Sequence, residues 1–470
     1  MHDDKTFQLL QRGDTLGIFQ LESDGMKQAL RDICPTTFLD IVAVNALYRP
    51  GPMDFIPVYA KRKAGREMVT MPHPVLEPIL QETFGVIVYQ EQIIKIASVL
   101  AGFTMGQADL LRRAVSKKNR QVLEEQRTAF VQGALRQGFD QRLAEEVYEL
   151  IVRFADYGFP KSHAVAYSVI SYQMAYLKAH FPQNFYAALL SNATGNVEKI
   201  QQFVHEAKDK GIPFYPPSLK SSTKYFTVEK EGIRYSLSGI KGVPHTFIEK
   251  IHGLCQTNPE VLNNLFDLAV ALSAQHFKPK VLESLIYAGA LDYLEKDRAV
   301  LIMTVEAALK HAELLRPTED IDLASAMAFS FGKPKYMQAE AMSQKEKLMH
   351  EKESLGFYIS THPVAQERLF WADINSTCRE LKQKRDGTSI KMIGLIEEVK
   401  KIRTKKGEQM AFVQLQDEFG TVSTTFFPQT FQLVQDLLVE EEMLWIEGVL
   451  ERRFGKPQIK VKHAQTTKKI

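Results

Sequence analysis

Ile390-Lys391-Met392-Ile393-Gly394-Leu395-Ile396 opens the C-terminal part of the chain with an apolar run unlike the segments before it. Four similar runs follow: Met410 to Leu415, Thr421 to Phe427, Leu444 to Val449 and Gln458 to Val461. Branched and aromatic side chains fill them, and such residues suit a pleated, half-buried backbone. One helix-like segment, Pro428 to Leu438, falls between the third and fourth runs.

Five short strands with a helix in that place predict a small β-barrel with the element order of an OB-fold. Before it the texture is helical. Apolar positions recur at three-to-four spacing in Phe38 to Leu47, Ile93 to Leu100, Leu143 to Phe154 and Ala166 to His180. Leu47-Tyr48-Arg49-Pro50-Gly51-Pro52-Met53 cannot continue a helix, because each proline fixes φ and lacks an N–H, so it reads as an ordered loop. A boundary falls near Ala193-Thr194-Gly195-Asn196, and a Pro213 to Pro217 segment leads into a hairpin formed by Tyr225 to Val228 and Ile233 to Leu237. Arg316 to Gln344, weakly periodic and holding Pro317, Gly332 and Pro334, reads as a linker. The fold class expected is multidomain and mainly α, with a C-terminal OB-fold β-barrel.

Composition sets bounds on this picture. The 470 residues are 45% hydrophobic and 24% charged, a globular composition, long enough for roughly three domains of about 150 residues. A net charge of +3 argues neither for nor against nucleic acid, so the distribution of charge must decide. Cys34, Cys255 and Cys378 lie far apart, which disfavours a disulfide framework or a zinc site and fits a reducing cytoplasm. His73, His163, His180 and His205 share no metal-ligand spacing. No run reaches the roughly 18 apolar residues of a membrane span, and Met1 to Lys5 do not resemble a signal peptide. A cytoplasmic protein with no membrane partner is expected.

Cations concentrate in three places. Between Gln107 and Arg136, seven (Arg112, Arg113, Lys117, Lys118, Arg120, Arg127, Arg136) face three acids (Asp109, Glu124, Glu125), a local balance of +4. Arg113 and Lys117, four apart, would share one helix face and hold a polyphosphate; a solvated helix surface is the plain alternative. Tyr157-Gly158-Phe159-Pro160-Lys161-Ser162-His163-Ala164 presents Lys161, Ser162 and His163 at a helix start, where N–H groups and the dipole favour an anion. The alternative there is an ordinary cap with Ser162 as the capping residue. Lys400-Lys401-Ile402-Arg403-Thr404-Lys405-Lys406-Gly407 reads as the first inter-strand turn of the barrel, five cations without an acid. With Phe412, Phe426 and Phe427 as rings, and Arg452, Arg453 and Lys456 extending the basic face, it suits a single-strand groove. Strand phenylalanines also serve as core.

Two further stretches carry polar signals. Gly85-Val86-Ile87-Val88-Tyr89-Gln90-Glu91-Gln92 ends in glutamines able to contact bases or sugars, or to satisfy buried backbone. Ser238-Gly239-Ile240-Lys241-Gly242-Val243-Pro244 reads as a turn between two helices, its N–H groups offered to a DNA phosphate without reading sequence. Leu282 to Asp292 resembles a second such turn.

Taken in order, these segments resemble the bacterial DNA polymerase III alpha subunit family nearly throughout the chain. The motifs that carry the resemblance are Gly17-Ile18-Phe19-Gln20-Leu21-Glu22-Ser23, Tyr48 to Met53, Tyr89-Gln90-Glu91-Gln92, Ala108-Asp109-Leu110-Leu111-Arg112-Arg113-Ala114, Tyr157 to Ala166, and Glu353-Ser354-Leu355-Gly356-Phe357-Tyr358 with His362-Pro363. The resemblance implies fingers over residues 1–190, tandem helix-hairpin-helix units that bind duplex DNA and the sliding clamp (beta subunit) over 191–365, and a nucleic-acid-binding OB-fold over 366–470. Arg112 and Arg113 would hold the triphosphate of a deoxynucleoside triphosphate, with Arg49, Lys161 and His163 lining the same region. Primer-template DNA would meet Lys117, Lys118, Gly239, Lys241, Gly242, Lys400, Lys401, Arg403, Lys405 and Lys406. Met327, Phe329 and Phe331, in a linker without the family's leading glutamine, would touch the clamp, and other replisome subunits would be partners. The family's magnesium ions are held by palm aspartates upstream of the fingers. The resemblance places that palm and the N-terminal phosphoesterase-like domain outside this chain, and Asp320-Ile321-Asp322 lies in the linker. No catalytic or metal-binding residue is therefore assigned, and no polymerisation by the isolated chain is expected. A stand-alone DNA-binding, clamp-tethering module would use the same hairpins and barrel without catalysis.

Overall fold

A computed structural model describes residues 1–116, 120–155, 158–273, 278–315, 334–453 and 455–467. The chain forms two compact units, Met1–Phe185 and Tyr186–Ile470.

The first unit is built of helices: α1 (Asp4–Gln11), α2 (Asp24–Ile33), α3 (Phe38–Leu47), α4 (Ile56–Lys63), α5 (Glu77–Leu80), α6 (Gln90–Ala101), α7 (Met105–Ser116), α8 (Arg120–Arg136), α9 (Gln141–Ala155) and α10 (Lys161–His180). α3 is apolar nearly all round and lies inside, with Ile41, Val42, Val44 and Leu47 buried. Its start is fixed by Asp40, whose carboxylate accepts from the N–H groups of Thr36 and Thr37 and pairs with Lys63 at 3.1 Å. α10 packs along α3 and α1. Its buried Ser168 accepts from the Asn45 side-chain amide and its buried Ser171 donates to the Phe19 carbonyl, so both serine hydroxyls on the packed face are matched.

In the second unit α11 (Pro182–Asn192), which begins just before it, and α12 (Val197–Asp209) lead to a three-stranded sheet of order β1-β3-β2. β2 (Thr227–Glu229) and β3 (Gly232–Arg234) form the expected hairpin, shorter than the alternating sequence suggests. β3 also pairs in parallel with β1 (Phe214–Tyr215), inside the segment read only as proline-bounded. Then come α13 (His245–Thr257), α14 (Leu265–Ser273), α15 (Pro279–Tyr287), α16 (Arg298–Leu314), α17 (Gln344–Leu355), α18 (Pro363–Arg368) and α19 (Cys378–Leu381). Residues 316–333 of the expected linker, including Met327, Phe329, Phe331 and the Asp320/Asp322 pair, lie outside the described residues. The part beyond them is pinned to the fold. Tyr336 packs on Phe266 and accepts from the Leu265 N–H, and the Met337 N–H donates to Thr304.

The barrel closes in the order β4-β5-β6-β8-β7, with β6 and β8 parallel and the other pairs antiparallel. Its strands are β4 (Ser389–Arg403), β5 (Gln409–Asp417), β6 (Gly420–Phe426), β7 (Met443–Arg453) and β8 (Lys456–Thr466), with α20 (Pro428–Val434) before β7. Ile390, Met392, Val413, Phe426, Ile446 and Ile459 fill the interior. At the β7 bulge only glycine fits, because a Cβ on Gly448 would stand 2.4 Å from the Lys460 carbonyl oxygen. β4 runs seven residues past the expected end at Ile396, so Lys400, Lys401 and Arg403 are strand residues and the turn proper is shorter than read. Charged side chains there lie on both faces of the strand end, which hides the strand from a search for apolar alternation.

His362 is buried in the second unit and accepts the Val364 N–H on Nδ1, starting α18. Burial pushes its pKa down from 6.5 to about 4, and the half-enclosed His205 moves in the same direction for the same reason. Below 6.5 the unfolded chain takes a proton that the folded chain refuses until about 4, so stability falls as pH drops through that window. The shift corresponds to about 3 kcal/mol for His362. Urea unfolding followed by Trp371 and Trp445, both in this unit, should show that loss between pH 6.5 and 4. His362→Asn should reduce the loss by a similar amount; an unchanged pH slope in the variant would contradict the assignment.

Candidate functional site

A short turn organises the first unit's candidate residues. Phe159 lies beside Tyr89 in a parallel bridge: its N–H donates to the Val88 carbonyl at 3.3 Å, and its carbonyl accepts the Gln90 N–H at 3.1 Å. Pro160 then holds an extended N-cap, and α10 begins at Lys161. Glu91, in the first turn of α6, accepts the Lys161 N–H with both carboxylate oxygens at 2.9 Å. The Lys161 ammonium pairs with Glu82 at 2.7 Å and stands 5.4 Å over the Tyr89 ring. The expected open anion site at this helix start is therefore corrected: the protein's own carboxylate sits there. Ser162 is inside the first turn and no side chain of the N-cap residue closes the helix.

Three more candidates gather round the same turn. Arg49, just past α3, donates Nε and Nη2 to the Ala46 carbonyl and lays its guanidinium 4.2 Å over the Phe159 ring. Burial holds its pKa below the ordinary arginine value. His163 sets its ring edge-on to Phe159 at 5.1 Å and to Tyr167 at 4.1 Å. Arg112, on α7, donates Nε to Asp109 at 2.8 Å and Nη1 to the Gln90 side-chain oxygen at 2.9 Å. These bonds, with the charges of Arg112 and Arg113, hold the Asp109 carboxyl below its usual range. Arg113 also pairs with Asp109, at 2.7 Å, but its side chain is 64% exposed and none of its described bonds reaches the turn. Lys117 and Lys118 lie outside the described residues, as does Tyr157.

A cavity of about 550 Å³ opens beside Arg49 and Phe159. Phe19, Gln20, Glu22 and Ser23 from one sequence motif and Tyr48 from a second line it, together with Met26, Asn45 and Tyr167, so one carboxylate faces the same space as the Arg49 guanidinium. Flat rings beside arginine donors can hold a planar group and an anion together. Gln92, by contrast, satisfies buried backbone: it accepts from the Val88 and Tyr89 N–H groups and donates to the Ile79 carbonyl. Glu82 and Glu91 hold Lys161, and Gln90, read in sequence as able to contact a base or sugar, bonds the Gly158 carbonyl. Their partners lie 79, 70 and 68 residues away, so no local spacing announces them.

In the second unit the glycine turn follows a single 3-10 turn (Leu237–Gly239) where a helix was expected, and it leads into α13. The Gly239 N–H is used by Ser236 and the Lys241 N–H by the Ser354 carbonyl at 2.9 Å, so neither is offered to a phosphate as first read. Gly242 has φ +84°, and a Cβ there would meet Ser284 at 2.8 Å. The Lys241 side chain and Gly242 are exposed, and the N-cap of α13, Pro244, has no side-chain cap. The leading N–H groups of that helix and the Lys241 ammonium are the parts suited to a phosphate. The second turn closes α15 through Gly289 and runs by a 3-10 turn (Asp292–Leu294) into α16.

On the barrel, Lys400, Lys401, Arg403, Lys405 and Lys406 are all exposed, the first three on β4 opposite Phe412, Ala411 and Gln409. Phe426 is fully buried core, which removes it as a stacking ring. Phe427 is 41% exposed, with the Lys460 ammonium 4.9 Å over its face. It shares a groove of about 330 Å³ with Phe412, Arg452 and Arg453. Arg452 is tied to Asp386 and to the Lys384 carbonyl. Among the described residues no cluster of three or more His, Cys, Asp or Glu could hold a metal ion, and no helix is long and apolar enough to cross a membrane.

Comparison with known proteins finds three matches along the chain. A family model for the bacterial DNA polymerase III alpha subunit finger domain matches residues 1–138, one for a helix-hairpin-helix motif matches 211–301, and one for an OB-fold nucleic acid binding domain matches 390–466. The chain is 46% identical over 455 residues to DNA polymerase III subunit alpha of Halalkalibacterium halodurans, covering 96% of this chain and 40% of the relative. It is 44% identical over 464 residues to that of Bacillus subtilis (98% and 41%), and 40% identical over 467 residues to that of Staphylococcus aureus (99% and 43%). The chain thus spans about two fifths of the length of these relatives.

The geometry makes Glu91 a structural anchor for α10. Glu91→Ala should cost the chain about 1–2 kcal/mol in denaturant unfolding followed by circular dichroism, with Glu91→Gln intermediate. No change on Glu91→Ala would mean that the helix start is held by other contacts.

Proposed function

Because the chain belongs to the bacterial DNA polymerase III alpha subunit family, we propose that it supplies the fingers, duplex-binding region and single-strand barrel of a polymerase that adds deoxynucleotides to a primer 3′ end. The domains proposed are residues 1–190, 191–365 and 366–470. The observation that carries the nucleotide reading is the meeting of Arg49, Arg112, Lys161 and His163 at the Gly158–Lys161 turn, beside a ring-lined cavity.

In this reading the deoxynucleoside triphosphate sits with its phosphates toward Arg112 and its neighbour Arg113, whose planar forks match phosphate oxygens. Arg49 and His163 shape the wall beside it through Phe159. Lys161 lines the same region and also pins the start of α10 to Glu82. The primer hydroxyl attacks the α-phosphate and pyrophosphate leaves. The resemblance assigns the magnesium ions of that step to palm aspartates rather than to any residue named here, and the reading accordingly gives the isolated chain no polymerisation of its own. Duplex DNA is placed on Lys241 and the α13 start, single-stranded template on the β4 cations with Phe412 and Phe427. The sliding clamp is placed at Met327, Phe329 and Phe331, and other replisome subunits are further partners in the cytoplasm.

Three measurements test this. Primer extension with magnesium should require the complete polymerase; extension by this chain alone would overturn the assignment of metal binding to other residues. Arg112→Ala with Arg113→Ala in the complete enzyme should raise KM for deoxynucleotides far more than Kd for primer-template, and equal losses in both would remove the triphosphate role. Replacing the five cations from Lys400 to Lys406 by alanine should flatten the salt dependence of single-strand binding by about 3.5 in log K per log salt, at roughly 0.7 per contact. An unchanged slope in fluorescence anisotropy would place the strand elsewhere.

A further inference from the structure

We propose that Gln90 is a positioning residue for the fingers: it aims the Arg112 guanidinium and locks it to the turn that starts α10. The inference rests on the reading of Arg112 as a triphosphate ligand.

Gln90 makes three bonds from the first position of α6. Its backbone N–H donates to the Phe159 carbonyl at 3.1 Å, its side-chain Nε2 donates to the Gly158 carbonyl at 3.0 Å, and its Oε1 accepts from Arg112 Nη1 at 2.9 Å. The amide orientation is forced. A guanidinium only donates and a carbonyl only accepts, so a flipped amide would lose both side-chain bonds. One planar group therefore ties α7 to the residues that lead into α10, across a sequence gap of 68 residues.

Arg112 needs such a tie. Its side chain is about a quarter exposed, and a free arginine carries roughly 2 kcal/mol of rotamer entropy that a ligand would have to remove. Asp109 takes Nε and Nη2, at 2.8 and 2.7 Å, along one edge of the guanidinium. Gln90 takes Nη1, so every nitrogen of the group has a fixed partner. The chemistry of the two partners differs. Asp109 is an anion shared by Arg112 and Arg113, leaving the trio with a net charge of +1. Gln90 is neutral, and it orients the cation without cancelling more of its charge. A glutamate in its place would accept the same bond, but would also oppose the Gly158 carbonyl and neutralise the trio. Glutamine is the side chain of this length that can serve the carbonyl and the guanidinium together.

The turn on the other side of Gln90 is where Arg49 stacks and α10 begins, so Arg112, Arg49 and the α10 start are held in one frame. A shift of the turn must move the arginine with it. Binding of a triphosphate at Arg112 would accordingly be felt at α10, which is a coupling through defined bonds rather than through proximity.

The test is a cycle of variants in the complete polymerase: Gln90→Met, which keeps the volume and loses both side-chain bonds, Arg112→Ala, and the two together. Gln90→Ala serves as a second variant, and thermal melting checks that each is folded. Gln90→Met should raise KM for deoxynucleotides about tenfold with kcat within about twofold and Kd for primer-template unchanged, since one lost charge-assisted bond and its ordering are worth about a factor of ten. The double variant should be no worse than Arg112→Ala alone. If Arg112→Ala raises KM but Gln90→Met adds its own full loss to it, Gln90 acts independently of Arg112 and the positioning role is overturned. A matching fall in primer-template affinity on Gln90→Met would overturn it too, as a general structural effect. If Arg112→Ala itself leaves KM unchanged, the nucleotide reading fails, and the proposal fails with it by a distinguishable route.

Discussion

The carboxylate of Glu91 on the first N–H of α10 is the bond around which the first unit is arranged. A helix of twenty residues starting at a proline N-cap leaves its leading donors without a local side-chain acceptor, so the acceptor must come from another element. α6 supplies it. Once α6 is held against that start, the bridge of Tyr89 with Phe159 follows, Phe159 is presented to Arg49 and His163, and Gln90 comes within reach of Arg112. The cations at this turn are thus partly neutralised before any ligand arrives: Lys161 by Glu82, and Arg112 and Arg113 by the single carboxylate of Asp109. What remains is a pre-arranged, weakly positive wall beside a ring-lined cavity, so that binding does not also have to order long side chains.

The barrel of the second unit meets the same demand with other means. Strand closure satisfies the backbone, the interior is aliphatic, and the charge is exported to the far end of β4 and to the turn after it. The long strand matters here, because it spaces Lys401 and Arg403 two residues apart on one face and sets Lys400 beside Phe412 on the other. A surface of cations interleaved with an exposed ring such as Phe427 follows a strand of any sequence, since every base offers a face to stack and every link a phosphate to neutralise.

Much of this was legible in the residues. The strand at Ile390 stands out as a short, almost continuously apolar run, and Leu143, Val147 and Ile151 mark α9 because burial there repeats with the helix period. Motif order carried the family, and Arg49, Arg112 and Lys161 all come to one place. What escaped was set by partners distant in the chain, by which face of a strand turns inward, or by local bonds that use up a turn's donors. Lys161 and Ser162 looked like an open helix start because Glu91 and Glu82 are invisible to local reading. Phe426 looked like a possible stacking ring because the sequence does not say which of two adjacent phenylalanines faces inward, and alternation along β6 puts Phe426 inside and Phe427 out. Lys400 to Arg403 passed as a turn because an exposed charged strand end has no apolar period, and the glycine turn at Gly239 looked more open than it is because Ser236 and Ser354 consume its donors.

The central claim is that the wall made by Arg112 and the Gly158–Lys161 turn receives the phosphates of an incoming deoxynucleotide. Photo-crosslinking in the complete polymerase, with primed template and a deoxynucleotide carrying a photoreactive group on its terminal phosphate, tests it directly by mapping the labelled peptides. The account predicts label on the peptides that hold Arg112 and Lys161 to His163, lost on competition with the unmodified nucleotide. Competable label confined to peptides outside the first unit would contradict it.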